Sequence, residues 1–425
     1  MSEYRQMTAE QLRAQYEAVS AEYAKYKAQK LSLDMSRGKP GVDQMDVSHE
    51  LFHQITDTSG YLNETGIDCR NYGGLDGLPE LKRLFGEVLE VPAEQVIVAG
   101  NSSLNLMFDF ITQAMTKGVL GSKPWMKEEK LKFLCPAPGY DRHFAITEYY
   151  GFELITVPCD ANGPDMDMVE SLVAQDAVIK GIWCVPKYSN PLGITYSDAV
   201  VERLASMKTA AQDFIIMWDN AYVLHSLSAQ IEPLANIYDA CVRAGNDNRV
   251  VMFTSTSKIT FPGAGLAAMA ASPAMIGGIK TRMSQQTIGP DKLNQLRHAR
   301  MFKTLDDLKA HMLLHADIIR PKFEAVLAAF DRNLTGTGVA TWTKPTGGYF
   351  ISLDVPAGCA KRVAALCKDA GLTLTGAGAT YPYGKDPSDS NLRIAPSYPS
   401  IDELKKAAEL LCVAVKLAAL EQLCA

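Results

Sequence analysis

The chain has 425 residues and a formal net charge of −6, with 47% of its residues hydrophobic and 21% charged. This composition is ordinary for a globular protein, and the length allows one large and one smaller domain. The charge argues against nucleic acid or an anionic membrane as the main partner, and no apolar run is long enough to span a bilayer. The N-terminus lacks the apolar core of a secretory signal, and the nine cysteines include no CxxC pair. We therefore expect a cytoplasmic protein with reduced thiols.

The chain begins with a predicted helix, because Thr8 and Gln11 match a capping box. Further along, the apolar residues 96–99 predict a strand and residues 104–115 predict an apolar helix. The small polar residues 100–103 join the two. A helix N-terminus directs free N–H groups and a positive dipole end outward, so this turn predicts an anion site.

Short β-prone runs then alternate with helical segments. The predicted strands are residues 132–135, 152–157, 181–185, 214–218 and 250–253. Strands that alternate with helices favour a mostly parallel sheet flanked by helices, so the predicted fold class is α/β.

The pattern changes in the last third of the chain. Helical spacing dominates residues 272–327, and strands are then predicted at residues 347–353 and 391–395 in a smaller α+β unit. The chain ends in an amphipathic helix, Ile401–Leu423, capped by Ser400. The predicted divisions are an N-terminal segment (residues 1–48) that packs on the small domain, a large domain (49–318) and a small C-terminal domain (319–425).

Lys258 follows the predicted strand at residues 250–253 and has three hydroxyl neighbours, Ser255, Thr256 and Ser257. Ligands of open α/β sheets bind at the carboxyl ends of the strands. A phosphate site would use the hydroxyls and the charge, whereas a Schiff-base site would use a desolvated amine. Taken alone, the segment also fits a solvated loop lysine.

Other predicted strands also end in polar or aromatic groups that a pyridoxal phosphate site needs. Asp219 can face the pyridine nitrogen and keep it protonated, which makes the ring an electron sink. Asn190 and Tyr222 can donate to the phenolate oxygen of the cofactor, and Tyr140 offers an aromatic face for stacking. Arg393, on a predicted strand, suits bidentate capture of a carboxylate.

The order of these motifs resembles that of the fold-type-I, pyridoxal-phosphate-dependent aminotransferases. The motifs are Tyr72, residues 100–103, Tyr140, Asn190-Pro191-x-Gly193, Asp219-x-x-Tyr222, Ser255-x-x-Lys258 and Arg393. The resemblance covers nearly the whole chain and is closest to the aspartate aminotransferase-like group, in a branch that also resembles the aminotransferase domain of MocR-type regulators. It implies a large cofactor-binding domain with a mostly parallel sheet and a smaller α+β domain.

The resemblance also implies roles for individual residues. Lys258, Asp219 and Tyr222 would be catalytic, and His143 would support Asp219. The implied substrate-binding residues are Arg393, Asn190 and Gly38, and no metal is implied. The implied cofactor-binding residues are Ser102, Ser103, Tyr140, Asn190, Asp219, Tyr222, Ser255, Ser257, Lys258 and Tyr72.

The reaction implied is the exchange of amino groups between L-aspartate and 2-oxoglutarate, giving oxaloacetate and L-glutamate by a ping-pong Schiff-base mechanism on Lys258. Tyr72 would reach the cofactor of the other subunit, so the resemblance implies a homodimer with shared sites. Three alternatives stay open: transamination of other amino acids, a β-lyase or decarboxylase on the same scaffold, and a non-catalytic module that senses pyridoxal phosphate.

Three further features bear on the site. The family usually has a phosphate-binding arginine shortly after the lysine, but residues 261–266 contain none. Aspartate and glutamate carry a second, distal carboxylate, which needs a cation in addition to Arg393. The candidates for this cation are Arg37, Arg282, Lys292 and Arg297. His311 and His315 lie one helical turn apart, but Met312 replaces the glutamate of a HExxH zinc site, so we interpret them as two polar residues on a helix face.

Overall fold

The computed structural model describes residues 3–56 and 59–425. The described helices are α1 (Ala9–Ala28), α2 (Val42–Asp46), α3 (Pro79–Leu89), α4 (Ser103–Lys117), α5 (Asp141–Tyr149), α6 (Met166–Gln175), α7 (Asp198–Ser206), α8 (Ile237–Arg243), α9 (Pro273–Gln286), α10 (Lys292–Met301), α11 (Leu305–Asn333), α12 (Ala360–Asp369) and α13 (Ile401–Leu423). Short 3-10 turns occur at Tyr4–Gln6, His49–His53, Ala93–Gln95, Trp125–Lys127, Asp247–Arg249 and Pro382–Gly384.

The described strands are β1 (Leu33–Asp34), β2 (Val96–Val98), β3 (Lys132–Ala137), β4 (Glu153–Asp160), β5 (Gly163–Pro164), β6 (Ile179–Cys184), β7 (Ile215–Asp219), β8 (Val250–Ser255), β9 (Ala267–Ala271), β10 (Thr341–Trp342), β11 (Ile351–Asp354), β12 (Leu372–Thr373) and β13 (Asn391–Ile394). The large sheet has eight strands in the order β2-β9-β8-β7-β6-β3-β4-β5. Its central strands β8, β7, β6, β3 and β4 all pair in parallel. The predicted α/β fold with a mostly parallel sheet is therefore confirmed.

Strand β9 was not predicted from the sequence. It reads AAMAA and pairs antiparallel with both β8 and β2, and every residue in it is buried. Alanine has little preference for strands, so the segment lacks the β-branched and aromatic residues that mark its neighbours. The strand forms because the chain turns back after Lys258 and supplies the missing backbone partners of β8.

The predicted caps of the first and last helices are confirmed. The Thr8 hydroxyl accepts from the Gln11 amide at 3.3 Å, and the Gln11 side chain accepts from the Thr8 amide at 2.9 Å. Ser400 and Glu403 make the same reciprocal pair at the start of α13. Each pair satisfies backbone N–H groups that the first helical turn leaves free.

The smaller unit contains a three-stranded antiparallel sheet, β10-β11-β13. Its apolar side chains share one core with helices α11, α12 and α13 and with Tyr4, Val19, Tyr23 and Met35 of the N-terminal segment. The Tyr23 hydroxyl donates to the Leu366 carbonyl at 2.9 Å, which ties α1 to α12. Helix α11 runs without a break across the predicted boundary at residues 318 and 319, so the division into domains stays a prediction.

All nine cysteines are unpaired, and seven of them are buried. Among the described residues, we found no helix that combines the length and the apolar character needed to cross a membrane.

Candidate active site

A cavity of about 180 Å³ lies where the carboxyl ends of β3, β6, β7 and β8 meet the N-terminus of α4. Its lining includes Ser102, Ser103, Tyr140, Asn190, Asp219, Tyr222, Ser255, Ser257 and Lys258. Of the cofactor-binding residues predicted from the sequence, only Tyr72 is missing from this lining. Parallel strands bring their carboxyl ends to one edge, which is why residues far apart in the chain meet here.

Lys258 is half-buried, and its Nζ lies 5.0 Å from the centroid of the Tyr222 ring and 6.0 Å from that of Tyr349. Of its hydroxyl neighbours, Ser255 and Ser257 line the cavity. Thr256 is buried and holds the loop instead, because its Oγ1 accepts from the Leu266 amide at 2.8 Å. The lysine therefore stands on a loop whose two ends are fixed to each other.

Asp219 ends β7 and is 4% exposed. One carboxylate oxygen, Oδ2, lies 2.9 Å from His143 Nε2, whereas Oδ1 is buried and has no hydrogen-bond partner. The His143 ring stacks on Trp183, with centroids 4.5 Å apart. A buried acceptor without a donor is costly, and the N–H of a protonated pyridine ring is a donor of the kind that would satisfy it. This orphaned oxygen is the observation by which the site fits a pyridoxal cofactor.

Two phenols border the cavity. Burial raises the pKa of Tyr140 to about 12, against a smaller opposing effect of the Lys258 charge. Burial, with the nearby Asp219 charge, also raises the pKa of Tyr222. Both hydroxyls therefore stay protonated at neutral pH and can donate hydrogen bonds.

The start of α4 and the loop after β8 form another part of the cavity lining. Ser257 Oγ donates to the backbone carbonyl of Asn101 at 3.1 Å. The side-chain nitrogen of Asn101, Nδ2, donates to the carbonyls of Pro262 and Gly263, at 3.3 Å each. The Ser102 side chain makes no cap bond, so its hydroxyl is available to a ligand. Together with the free N–H groups of α4, these hydroxyls suit a phosphate. Among the described residues that line the cavity, Lys258 is the only cation.

Arg393 lies on β13, and its side chain is 10% exposed. Its Nη1 is 3.2 Å from Asp141 Oδ1 and 3.4 Å from Asn190 Oδ1, and its Nε is buried without a partner. The Phe350 ring lies 5.0 Å from the guanidinium carbon. A Cβ on Gly38 would come within 2.1 Å of this ring, so only glycine fits there. Sequence reasoning missed Asp141 and Phe350, because neither belongs to a motif and only the fold places them beside the arginine.

The remaining predicted residues lie outside the cavity of the single chain. Tyr72 is 81% exposed. Arg37 is exposed, adjoins Gly38 and lies 3.9 Å from Asp34, measured from Nε to Oδ2. The other three candidate cations also have partners. Arg282 pairs with Asp109, Lys292 donates to the Gly73 carbonyl and Arg297 donates to Asn294.

His311 and His315 share one face of α11, as the sequence predicts, but this face is buried. His311 is 7% exposed and His315 is 1% exposed. Their Nε2 atoms lie 3.2 Å apart, behind the loop that carries Lys258. Their periodicity on α11 placed them on one face, but the sequence could not show that another segment covers this face. Within residues 3–56 and 59–425, we found no group of three or more His, Cys, Asp or Glu side chains suited to a metal ion.

Comparison with known proteins shows similarity along almost the whole chain. Residues 7–425 match a family described as aspartate amino-transferase. A protein named putative aminotransferase from Mycolicibacterium smegmatis is 47% identical over 99% of both chains. Aspartate aminotransferase of Corynebacterium glutamicum is 45% identical over 97% of this chain and 95% of that protein. The crystal structure of an aspartate transaminase from C. glutamicum superposes with a TM-score of 0.96 at 45% identity and covers 99% of both chains.

Proposed function

Because the chain belongs to the aspartate aminotransferase family, we propose that it transfers the amino group of L-aspartate to 2-oxoglutarate, giving oxaloacetate and L-glutamate. The chain is a transaminase with the fold of the type-I pyridoxal-phosphate enzymes. The choice of donor and acceptor is the part that we propose. One observation carries it: Lys258 and Asp219, with its orphaned oxygen, line one cavity, and the guanidinium of Arg393 contacts Asn190 in the lining of that cavity.

The cofactor that these residues fit is pyridoxal 5′-phosphate, which when bound supplies an aldehyde for amines and a ring that takes up the electrons released at Cα. Asp219 Oδ1 would accept from the ring N–H, while His143 orients the carboxylate through Oδ2. The hydroxyls of Ser102 and Ser255 would donate to the phosphate at the start of α4, and Ser257 would join them once its hydroxyl turns away from the Asn101 carbonyl.

Lys258 Nζ would move the proton that transamination requires. In the proposed cycle, the amine would take a proton from the substrate Cα and deliver it to C4′ of the cofactor. Tyr222 and Asn190 would donate hydrogen bonds to the phenolic oxygen of the cofactor ring, which the protonated state of Tyr222 permits. The same groups act in reverse order on the 2-oxo acid, so one site serves both halves of a ping-pong reaction.

Arg393 would bind the α-carboxylate of the substrate. Its guanidinium offers several donors, of which Nε is buried and unpartnered. Charge-assisted hydrogen bonds of this kind contribute roughly 1.5–3 kcal/mol each. Asn190, 3.4 Å from the same guanidinium, would orient the carboxylate between itself and the arginine.

We also propose a homodimer with shared sites. The support is that Tyr72 is exposed although the family resemblance assigns it to the phosphate, so a second subunit would bring its own Tyr72 to the site of the first. We propose a cytoplasmic location on chemical grounds, because the exposed Cys424 is unpaired and free thiols persist in reducing compartments.

A panel of amino donors with 2-oxoglutarate tests the proposed substrate. An acidic donor carries a second charge that an apolar donor lacks, and the exposed Arg37 beside Gly38 could pair with it. We expect aspartate and glutamate to exceed alanine, leucine and phenylalanine in kcat/KM by at least about tenfold, or ~1.4 kcal/mol.

The products separate the alternatives. A preference for aromatic or aliphatic donors would overturn the proposed substrate and leave the transaminase assignment in place. Release of carbon dioxide or ammonia from the donor would indicate a decarboxylase or β-lyase instead. Cofactor binding without any 2-oxo acid product would indicate a sensing module.

A further inference from the structure

The short turn after Lys258 leaves two backbone carbonyls without backbone partners. The amides of Ile259 and Thr260 both donate to the Thr256 carbonyl at 2.9 Å, which closes one helical turn. A helical turn that does not continue leaves its last carbonyls free. Here these are the carbonyls of Lys258 and Ile259, and both are reached by side-chain donors.

Five buried side chains surround these carbonyls, and we call them the lysine clamp: Gln44, Ser48, His311, His315 and Tyr349. His311 Nε2 lies 2.9 Å from the Ile259 carbonyl oxygen, and Ser48 Oγ lies 3.1 Å from it. The Tyr349 hydroxyl donates to the Lys258 carbonyl over a longer distance, 3.4 Å. The clamp therefore holds the two peptide groups next to the amine-bearing residue.

Gln44 connects the two branches of the clamp. Its amide nitrogen donates to the Tyr349 hydroxyl at 2.7 Å and lies 3.2 Å from His315 Nδ1. Burial lowers the pKa of His315 to about 4, so the ring is neutral and Nδ1 can accept this bond. With Nδ1 accepting, the proton of neutral His315 is on Nε2, which lies 3.2 Å from His311 Nε2 and donates to it. The Gln44 amide thus orients the Tyr349 hydroxyl that donates to the Lys258 carbonyl, and it holds the histidine pair that packs with Ser48 against the Ile259 carbonyl.

Gln44 also belongs to the segment that borders the substrate side. Its Oε1 accepts from the Gly41 amide at 3.3 Å, three residues after Gly38. Gly38 packs against the Phe350 ring, and that ring lies beside Arg393. A continuous path therefore runs from the carboxylate-binding side of the cavity, through Gln44, to the backbone of Lys258.

We propose that Gln44 is a positioning residue for Lys258, acting through Tyr349 and the histidine pair on the two carbonyls that follow the amine. The inference rests on the proposed function, because it assigns Lys258 the proton transfer. In this arrangement the clamp fixes the backbone from which the lysine side chain reaches the cofactor. A small error in the position of a reacting group lowers the rate of the chemical step much more than substrate affinity.

The test compares Gln44→Met with Tyr349→Phe and with Thr337→Val as a control. Gln44→Met retains the side-chain volume and removes the three hydrogen bonds to Tyr349, His315 and the Gly41 amide. We expect kcat to fall about three- to tenfold with KM changed less than about twofold, for both clamp variants. Thr337 is a buried hydroxyl that donates to Leu334 in the same apolar core. Its variant is expected to lose stability without this change in kcat.

A second measurement does not depend on turnover. The affinity of the cofactor-free protein for pyridoxal 5′-phosphate is titrated in the wild type, Gln44→Met, Lys258→Ala and the double variant. We expect Gln44→Met to weaken binding about three- to tenfold when Lys258 is present and less than about twofold when it is absent. This difference appears only if Gln44 acts through the lysine.

Two results would overturn the proposal. One is a Gln44→Met variant that loses stability but keeps kcat and cofactor affinity within twofold of the wild type, since Gln44 would then be only structural. The other is an equal loss of affinity with and without Lys258. A wild-type protein that binds the cofactor but transaminates no donor would overturn the proposed function instead, and the affinity cycle distinguishes the two cases.

Discussion

The two sides of the cavity are built differently. On the cofactor side, Asp219 and Lys258 stand at or just after the ends of β7 and β8, two fully buried strands in the middle of the eight-stranded sheet. On the substrate side, Arg393 comes from the smaller sheet, Gly38 from the N-terminal segment and Asp141 from the start of α5. The first side is one rigid element, whereas the second is assembled from three.

The difference affects how completely each side is formed in one chain. Asp219 is oriented by His143 and Ser257 by Asn101, so the cofactor side is formed within one chain except for Tyr72, which we assign to the other subunit. On the substrate side, Arg37 is exposed. Asp141 is half-exposed and pairs with Arg393. We infer that changes on the cofactor side act on the chemical step, and that changes on the substrate side act on binding.

The largest effect is expected for Lys258→Ala. Removing the amine takes away both the covalent attachment and the proton transfer, so kcat should fall by at least about 10⁴-fold. Circular dichroism should show an unchanged fold, because the side chain is half-buried and only its backbone is clamped. Lys344→Ala is a matched control, since this exposed lysine pairs with Asp331 far from the cavity. Retention of more than about one per cent of turnover in Lys258→Ala would remove the lysine from the mechanism.

The second effect compares two aspartates at opposite ends of β7. Asp219→Asn should lower kcat by about 10²–10³-fold, because a neutral amide does not keep the pyridine nitrogen protonated. Asp213 precedes β7 at its other end and accepts from Lys180 and Trp125, at 2.9 and 2.8 Å. Asp213→Asn breaks a buried ion pair, so it should lower the midpoint of thermal unfolding and leave kcat unchanged. Equal turnover in the two variants would reduce Asp219 to a structural role.

The grouping of residues on the side that we propose for the cofactor was largely predictable from the sequence, whereas their roles stay predictions. Each of its groups follows a short apolar run, and parallel strands place such groups at one edge. The alternation of strands and helices likewise predicted the parallel core, and the capping boxes predicted two helix starts. These features depend on residues that are close in sequence, which is what a sequence pattern records.

The rest depends on contacts between distant segments. Strand β9 is specified by its neighbours and not by its alanines, and Asp141 meets Arg393 across 252 positions of sequence. The burial of His311 and His315 depends on Gln44 and Ser48 of a different segment. No periodicity or motif within one segment records such contacts, so the sequence alone did not show that both histidines are buried.

A smaller effect is expected at Tyr72, and it tests whether the sites are shared. Tyr72→Ala should reduce turnover about tenfold by removing a donor to the phosphate. If the tyrosine serves the site of the other subunit, a hybrid of Tyr72→Ala and Lys258→Ala subunits contains one intact site. Unfolding and refolding an equal mixture should then restore about a quarter of wild-type turnover, since half of the dimers are hybrids with one working site each. No recovery beyond the sum of the two separate variants would place Tyr72 in its own subunit's site.

The smallest effect is expected at Asp141, which tests whether the substrate side is governed by binding. Asp141 Oδ1 lies 3.2 Å from Arg393 Nη1, so it occupies a donor that a substrate carboxylate would use. Its side chain is 37% exposed, and solvent limits such a pair to about 0.5–1 kcal/mol. Asp141→Asn should therefore tighten the binding of a dicarboxylate such as maleate about two- to fivefold, and kcat should stay the same.

The control for this variant is Glu148→Gln, which removes an exposed carboxylate from the other end of the same helix, α5. It changes the net charge of the chain equally but lies away from Arg393, so its effect on maleate binding should be negligible. Tighter binding in Asp141→Asn alone would show that the aspartate competes with the substrate for the guanidinium. Weaker binding would show the opposite, that Asp141 holds Arg393 in the orientation which a carboxylate requires. In that case the substrate side is pre-formed in the single chain.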